Sequence, residues 1–389
     1  MTDPTPVRDA TDWFSHTVPE AHEKFVTTAT AAGLAVESVE HPLPGPDGET
    51  LHTAVATYGP TDARNVVLCL SGIHGIEGYF GSAIQCDALA DRAELLALPP
   101  ATKIVFVHLV NPWGTAWSSR ENEDNVELLR GNYYCHHDKP PNPIFVDFVE
   151  TMDYRSVSSV EEFLATRRRV ADVLTRHSIE ELQAALVSGQ NSHPDAITYT
   201  GAGPTWTKQL IDRVLRERAS GAERVLVFDL HTAVGPPGDT VVFTGHLPDT
   251  PQGRLVHGWF DGDLWPWPEF VEHYDWVAEI VPGADVVSVT MEAGTEQLGP
   301  ADQYIFPLDV WIKTYGDRTA PAAAPHLERY RRFFYPETPD WMRSTLAHGR
   351  RRWQPLLAGV AAWSAAGSSP SSITHRHPSP PATDRQESS

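Results

Sequence analysis

The sequence predicts an α/β fold in which helices flank both faces of a mixed, mostly parallel sheet. Short apolar, β-branched runs alternate along the chain with segments of helical periodicity, and this alternation is typical of such a sheet. Two of the runs, residues 66–70 and 224–228, are followed within a few residues by a histidine. Active sites of open α/β sheets form at the carboxyl ends of strands. We therefore expect both histidines at one edge of the sheet.

The amino-terminal part of the chain predicts a hairpin, a helix and a further strand. Residues 35–41 and 51–58 read as strands that flank the turn-rich string Pro44-Gly45-Pro46-Asp47-Gly48, which indicates a hairpin connection. Residues 79–98 carry apolar side chains at helical spacing, and residues 103–109 are strand-like.

The middle of the chain predicts an insertion and two helices. Residues 133–153 are rich in Pro, His and Asn, and we expect a long loop or insertion there. Ser178-Ile179-Glu180-Glu181 is a capping box that opens a short helix. Trp206, Leu210 and Val214 recur every four residues and predict a helix that leads into the second apolar run.

Composition predicts one catalytic domain over residues 1–364 and a disordered tail over residues 365–389. Beyond Trp363 the chain consists mainly of Ser, Pro, Thr, Arg and His, and such a segment cannot bury enough apolar surface to fold. The first residues lack the basic cluster and apolar core of a signal peptide. Three widely separated cysteines fit reduced thiols. These features predict a cytoplasmic protein.

The formal net charge of -21 argues against nucleic acid and anionic membrane partners, since both favour a basic surface. No stretch reaches the roughly 18 apolar residues of a membrane span. The charge leaves a cationic or neutral small substrate open, and solubility alone is the alternative explanation of the acidity. The sequence does not determine the oligomeric state.

The first histidine belongs to the string Ser71-Gly72-Ile73-His74-Gly75-Ile76-Glu77-Gly78. The glycines allow a sharp turn after the strand, so that His74 and Glu77 are delivered together. One imidazole and one carboxylate from a short loop, with a second histidine from elsewhere, form a zinc site that keeps one position open for water. His231 is the candidate for the third ligand. Asp229 lies on the same side of the strand and either orients that imidazole or is a strand-end carboxylate.

The three proposed ligands resemble those of the M14 metallocarboxypeptidase superfamily, in which a His-x-x-Glu pair and a distant His hold zinc and a later Glu acts as the base. The likeness extends to segments 111–114, 120–130 and 289–295. The strings His-Gly-x-Glu-Gly, Asn-Glu-Asp-Asn-Val and Asp-Leu-His-Thr are most similar to the DUF2817 branch. The last string is also similar to the aspartoacylase and succinylglutamate desuccinylase branch. The resemblance implies a zinc carboxypeptidase-like fold.

The resemblance also implies two catalytic residues. Glu292 would act as general base and then as general acid, with Glu296 as the rival if the segment bends. Arg120 stands at the position whose guanidinium stabilises the tetrahedral oxyanion. The alternative for Arg120 is an exposed arginine without a ligand.

Two further positions are candidate substrate-binding residues. Arg130 matches the arginine that captures a substrate carboxylate in the superfamily, but Leu129 and Gly131 stand where asparagines are expected. An apolar leucine cannot donate a hydrogen bond to a carboxylate, so a terminal carboxylate pocket is in doubt. Asn122 either contacts the substrate or builds the turn of its loop.

The leading functional prediction is zinc-dependent hydrolysis of an amide bond in a small molecule or a short peptide. One alternative is deacylation of an N-acyl amino acid, as in the aspartoacylase branch. Another is a catalytically silent zinc-binding protein, although the chain retains all three ligands and the base.

Overall fold

Seven strands form one sheet in a computed structural model that describes residues 9–91, 95, 98–99, 101–153, 157, 159–166, 168–265, 274–296 and 302–365. The strands are β1 (Val36–Glu40), β2 (His52–Tyr58), β3 (Asn65–Ser71), β4 (Thr102–His108), β5 (Arg224–Thr232), β6 (Thr240–Phe243) and β7 (Asp285–Ala293). Their order is β1-β2-β4-β3-β5-β7-β6. The four central strands are parallel, and β1, β2 and β6 add antiparallel pairs at the two edges. The predicted mixed sheet with a parallel centre is confirmed.

Helices occupy most of the connections between the strands. The α-helices whose bounds lie within the described residues are Val18–Ala31, Gly78–Ala90, Pro112–Ala116, Leu128–Tyr134, Pro143–Met152, Val160–Thr166, Arg168–Leu174, Ile179–Ser188, Trp206–Arg218, Pro251–Trp259, Val277–Ile280, Asp302–Tyr315, Ala324–Phe334 and Pro339–Ala365. The same residues include the short 3-10 helices Ala10–Trp13 and Gly75–Glu77. Within the described part of the chain, no helix is long and apolar enough to span a membrane.

Alternate side chains of the central strands pack into two separate cores. Val67 and Cys69 of β3 belong to the core that also holds apolar residues of helices Val18–Ala31, Gly78–Ala90 and Pro339–Ala365. Val66 and Leu68 of the same strand face the other core, which includes helix Trp206–Arg218. Since successive side chains of a strand point to opposite faces, helices cover both faces of the sheet, as predicted.

The segment at residues 133–153, expected to be a long loop or an insertion, is partly helical. It contains the end of helix Leu128–Tyr134 and all of helix Pro143–Met152. Asn142 caps the second helix by accepting a hydrogen bond from Phe145 N at 3.1 Å, and a proline at the first helical position is compatible with a helix start. The long-loop alternative was wrong because Asn142 and Pro143 begin a helix here rather than interrupt one.

Other local predictions hold. Strands β1 and β2 form the expected hairpin, and Ser178 and Glu181 form the capping box of helix Ile179–Ser188. The helix expected over residues 79–98 ends at Ala90. Residues 366–389 of the predicted tail lie outside the described residues, and the predicted domain limits stay a prediction.

Candidate metal centre

The loop after β3 depends on two close approaches that only glycine permits. Gly72 has a φ of +75°, and a Cβ there would lie 3.1 Å from Gly78 Cα. A Cβ on Gly75 would lie 2.2 Å from the carbonyl carbon of Gly114, which is far inside van der Waals contact. The glycines therefore let the chain turn sharply and pack against helix Pro112–Ala116.

The same packing brings Arg120 to the loop. Thr115 Oγ1 donates a hydrogen bond to the Gly75 carbonyl oxygen at 2.7 Å, and Gly75 N donates to the Arg120 carbonyl oxygen at 3.2 Å. The Arg120 Nε then lies 3.2 Å from Glu77 Oε1. Residues that are 43 positions apart in sequence thus share one pocket because the backbones of their two loops pair.

Strand order brings the distant histidine to this loop. β5 lies directly beside β3, and His231 follows near the carboxyl end of β5. His231 Nδ1 lies 2.9 Å from Glu77 Oε2, and the centroids of the His74 and His231 rings are 4.7 Å apart. In the parallel register, His231 is paired with Glu292 of β7. Neighbouring strands therefore supply the third proposed ligand and the proposed base.

His74, Glu77 and His231 fit the requirements of a zinc ion. Each offers one ligand atom, and these atoms lie within 4.8 Å of one another. All three side chains are buried. The Nδ1 atoms of both imidazoles face the Glu77 carboxylate, at 3.2 Å for His74 and 2.9 Å for His231. Two imidazole nitrogens and one carboxylate are the protein ligands of many catalytic zinc sites.

On each imidazole, the nitrogen that faces away from Glu77 contacts a buried carboxylate. His231 Nε2 lies 2.6 Å from Asp229 Oδ2, and Tyr274 donates its hydroxyl hydrogen to the same oxygen. His74 Nε2 makes the equivalent contact with Glu127 Oε1. A carboxylate on the rear nitrogen fixes the tautomer and makes the front nitrogen a stronger ligand.

Glu292 is buried beside this group, and Val234 N donates a hydrogen bond to its Oε2 at 3.2 Å. Burial, reinforced by the negative charge of Glu77, raises the pKa of the Glu292 carboxyl well above its ordinary value. The rival, Glu296, lies beyond the strand, where its side chain is exposed and 3.9 Å from Arg332. Of the two, Glu292 is the one that lies beside a proposed metal ligand, His231.

Arg120 adds a positive charge to the pocket. Its Nη2 lies 2.9 Å from His74 Nδ1, and its guanidinium carbon is 5.7 Å from the centre of the Phe334 ring. Burial alone would lower the pKa of the Arg120 guanidinium, but the charges of Glu77 and Glu127 raise it above its ordinary value. The guanidinium is therefore charged at every physiological pH.

A family model described as "Protein of unknown function (DUF2817)" matches residues 14–348. The chain belongs to the DUF2817 family. The family that the sequence strings predict is thus confirmed. No curated protein matches this chain.

Several solved structures are similar to this DUF2817 chain at low identity. Carboxypeptidase A from Helicoverpa armigera is 12% identical, over 93% of this chain and 78% of that one, with a TM-score of 0.48. A metallo-carboxypeptidase from Pseudomonas aeruginosa is 12% identical, over 88% and 68%, with a TM-score of 0.42. A putative succinylglutamate desuccinylase/aspartoacylase from Shewanella frigidimarina is 14% identical, over 78% and 73%, with a TM-score of 0.30.

The two predicted substrate-binding residues of the DUF2817 chain are buried and bonded within the protein. Asn122 Oδ1 accepts hydrogen bonds from Asp124 N at 3.1 Å and Val126 N at 2.8 Å, which is the turn role named as its alternative. Its Nδ2 is buried and has no hydrogen-bond partner among the described residues. Arg130 Nη1 lies 2.7 Å from Glu127 Oε2.

Glu127 is the residue of this site that sequence reasoning missed. It is fully buried, and its side chain accepts a hydrogen bond from Arg130 N at 3.1 Å, so that it caps helix Leu128–Tyr134. A carboxylate three residues before Arg130 and directly before a helix was the available signal. The sequence could not reveal the contact with His74, because the two residues are 53 positions apart.

Proposed function

We propose that this protein is a zinc-dependent hydrolase that cleaves an amide bond in a small molecule or a short peptide. The observation that carries the proposal is the convergence of His74, Glu77 and His231 beside Glu292. A bound zinc ion would polarise the substrate carbonyl and make water in the pocket more acidic. The two Nδ1 atoms and the Glu77 carboxylate would hold it.

The charge balance of the pocket supports a divalent cation. Four buried carboxylates, Glu77, Glu127, Asp229 and Glu292, surround the two histidines, whereas Arg120 and Arg130 are the positive groups in contact with them. With neutral imidazoles, Glu77, Glu127 and Asp229 exceed the two arginines by one negative charge, and Glu292 adds a second when it is ionised. Buried charges are costly unless they are paired, and a Zn²⁺ ion would compensate both.

The remaining residues supply proton transfer and charge stabilisation. Glu292 would take a proton from the attacking water and return it to the leaving nitrogen, and a raised carboxyl pKa suits a group that must do both near neutral pH. The Arg120 guanidinium, which lies within 3.2 Å of both His74 and Glu77, would stabilise negative charge on the carbonyl oxygen.

Metal content and activity on the same preparations test the proposal. We expect about one zinc ion per chain in the wild type by elemental analysis, and little in His74→Ala or His231→Ala, because each variant loses one of three ligands. His16→Ala is the matched control, since that imidazole is exposed and contacts Glu337 away from the centre. Full zinc occupancy in either ligand variant would contradict the assignment.

Activity would be measured on a panel of dipeptides, their carboxyl-terminal amides and N-acyl amino acids. Zinc-dependent turnover of any amide in the panel, lost in both ligand variants and kept in His16→Ala, supports the proposal. A wild type without stoichiometric zinc overturns it. Turnover confined to N-acyl amino acids would favour the deacylase alternative, and a zinc-loaded protein without turnover would favour a binding protein.

A further inference from the structure

Arg130 is buried and its guanidinium is engaged on two sides. Its Nη1 lies 2.7 Å from Glu127 Oε2, and its Nε donates to the carbonyl oxygen of Val187. A guanidinium can bind a carboxylate with two hydrogen bonds either through Nε and Nη2 or through Nη1 and Nη2. Nε has a single N–H, so capture through Nε and Nη2 would require breaking the Val187 contact. Capture through Nη1 and Nη2 would place a second carboxylate on the nitrogen that already contacts Glu127.

Glu127 connects Arg130 to the candidate metal centre. One of its oxygens, Oε1, contacts His74 Nε2, while the other, Oε2, receives both the Arg130 guanidinium and the Arg130 backbone N–H. The Glu127 carboxylate is therefore bonded on both sides.

The neighbouring backbone fixes this arrangement. Glu127 N donates to the Tyr199 carbonyl oxygen at 2.7 Å. Gly189, which directly follows helix Ile179–Ser188, has a φ of +82°, and a Cβ there would lie 3.2 Å from Arg130 Cδ. The end of this helix thus lies beside the stem of Arg130, and its Val187 carbonyl oxygen accepts a hydrogen bond from Nε. These contacts hold the guanidinium beside Glu127.

The two positions expected to carry asparagine do not complete a carboxylate pocket. A Cβ on Gly131 would lie 2.6 Å from Val126 Cγ1 and 3.1 Å from the Thr200 carbonyl oxygen, so that a larger side chain does not fit without movement. Leu129 packs against the core on one face of the sheet. Neither residue can supply the hydrogen bonds that a bound carboxylate needs.

We propose that Arg130 is a positioning residue that holds Glu127 against His74, and that it does not bind a substrate carboxylate. The inference rests on the proposed zinc-dependent hydrolase. It adds a substrate class: amides that carry no free carboxyl group next to the scissile bond, such as peptides with an amidated carboxyl terminus, are accepted as well as the free acids.

The test compares Arg130→Met and Arg130→Lys in the full-length, zinc-loaded protein. The zinc dissociation constant is measured by competition with a chelator, and kcat and KM are measured on a free-acid substrate and its amide. We expect Arg130→Met to weaken zinc binding about 10- to 100-fold, the range typical for partners of metal ligands. We expect the kcat of Arg130→Met to fall by the same factor on the acid and on the amide. Arg130→Lys should retain part of the zinc affinity and part of the kcat that Arg130→Met loses.

A carboxylate-binding Arg130 gives the opposite pattern. Arg130→Met would then raise KM for the free acid alone and leave zinc affinity and the amide reaction unchanged, and this result overturns the inference. The matched control is Arg350→Met, which removes another arginine from a buried carboxylate, Asp87. It should leave zinc affinity unchanged, so that a general loss of stability is distinguished from a loss of positioning.

A double-mutant cycle with Glu127→Gln covers the case in which Arg130→Met folds poorly. If Arg130 acts through Glu127, Arg130→Lys combined with Glu127→Gln binds zinc no more weakly than Glu127→Gln alone. If the double variant instead loses zinc affinity by the sum of the two single losses in binding free energy, the inference is overturned. The wild-type zinc content separates this outcome from failure of the proposed function: a wild type without zinc refutes the hydrolase, whereas a zinc-loaded wild type with unaffected variants refutes only the role of Arg130.

Discussion

Each imidazole of the candidate metal centre uses its two nitrogens differently. The Nδ1 atoms of His74 and His231 converge on Glu77, and the Nε2 atoms contact Glu127 and Asp229. A carboxylate behind a ligating histidine increases the electron density on the ligating nitrogen and fixes its direction. The site therefore contains two equivalent histidine–carboxylate pairs. The histidine of one pair lies on a loop, and that of the other lies on a strand.

Replacing Asp229 with asparagine tests how much the carboxylate on His231 Nε2 contributes to zinc affinity. The asparagine side chain keeps the size of the aspartate and an acceptor oxygen for His231 Nε2, but it loses the negative charge. We expect the Asp229→Asn variant to fold and to bind zinc about 10- to 100-fold more weakly than the wild type, as measured by chelator competition. Unchanged zinc affinity would mean that Asp229 is only a satisfied carboxylate at the end of the strand.

Replacing Glu292 with glutamine separates the proposed base from the ligands. The amide has nearly the same shape but cannot accept a proton from water, so that the Glu292→Gln variant should keep its zinc and lose turnover by ~10² to 10⁴. Zinc content and kcat are measured on one preparation. Near-normal turnover with zinc bound would remove Glu292 from the mechanism and favour Glu296. Loss of zinc together with turnover would show that Glu292 supports the metal.

The edge strand β6 is followed by a histidine whose charge state affects the stability of the sheet. His246 Nε2 accepts a hydrogen bond from Ser288 N of β7 at 3.0 Å, and protonation of Nε2 would abolish that acceptor. Burial lowers the pKa of the His246 imidazole to about 4, although the charges of Asp275 and Asp285 oppose the shift. The neutral imidazole is thus the form that joins β6 and β7.

This pKa predicts a loss of stability in mild acid. Between the unfolded pKa of about 6.5 and the folded pKa of about 4, the unfolded chain binds a proton that the native protein does not, so the free energy of unfolding decreases as the pH falls. From pH 7 to pH 5, His246 should contribute about 2 kcal/mol of this decrease. Glutamine cannot titrate, so the free energy of unfolding of His246→Gln, measured with denaturant at pH 7 and pH 5, should fall by about 2 kcal/mol less than that of the wild type. An equal fall in the two proteins would contradict the prediction.

Elements with a strong local signal could be predicted, and contacts between distant segments could not. The apolar run of β3 and the capping box at Ser178 were sufficient for their strand and helix. Asn142 and Pro143 were misread: Asn and Pro are common in loops, but here they begin a helix. In the site, motif strings indicated the ligands, but the contact of Glu127 with His74 depends on how two loops pack.

At the scale of the whole molecule, helices Ala324–Phe334 and Pro339–Ala365 bond to the chain at the ends of β5 and β7. Thr232 Oγ1, next to His231, donates to the Phe334 carbonyl oxygen at 2.6 Å, and Trp341 Nε1 donates to the Gly294 carbonyl oxygen at 2.8 Å. Helix Pro339–Ala365 also fills much of one core. The ends of β5 and β7 are therefore fixed by chain that is more than 40 residues away in sequence, and the candidate metal centre is coupled to the global fold.

This coupling predicts that zinc raises the thermal stability of the entire chain. A ligand that binds only the native state adds RT ln(1 + [L]/Kd) to the free energy of unfolding, which is ~4 kcal/mol at a free zinc concentration 1,000 times Kd. For a chain of 389 residues, the typical entropy of unfolding per residue converts this gain into a rise in Tm of about 5 °C. Scanning calorimetry of the chelator-treated protein, before and after zinc is restored, measures the shift.

The same experiment on His231→Ala should give little or no shift, because the variant lacks a ligand, whereas His16→Ala should respond like the wild type. An equal shift in His231→Ala would mean that zinc stabilises the protein from a different site.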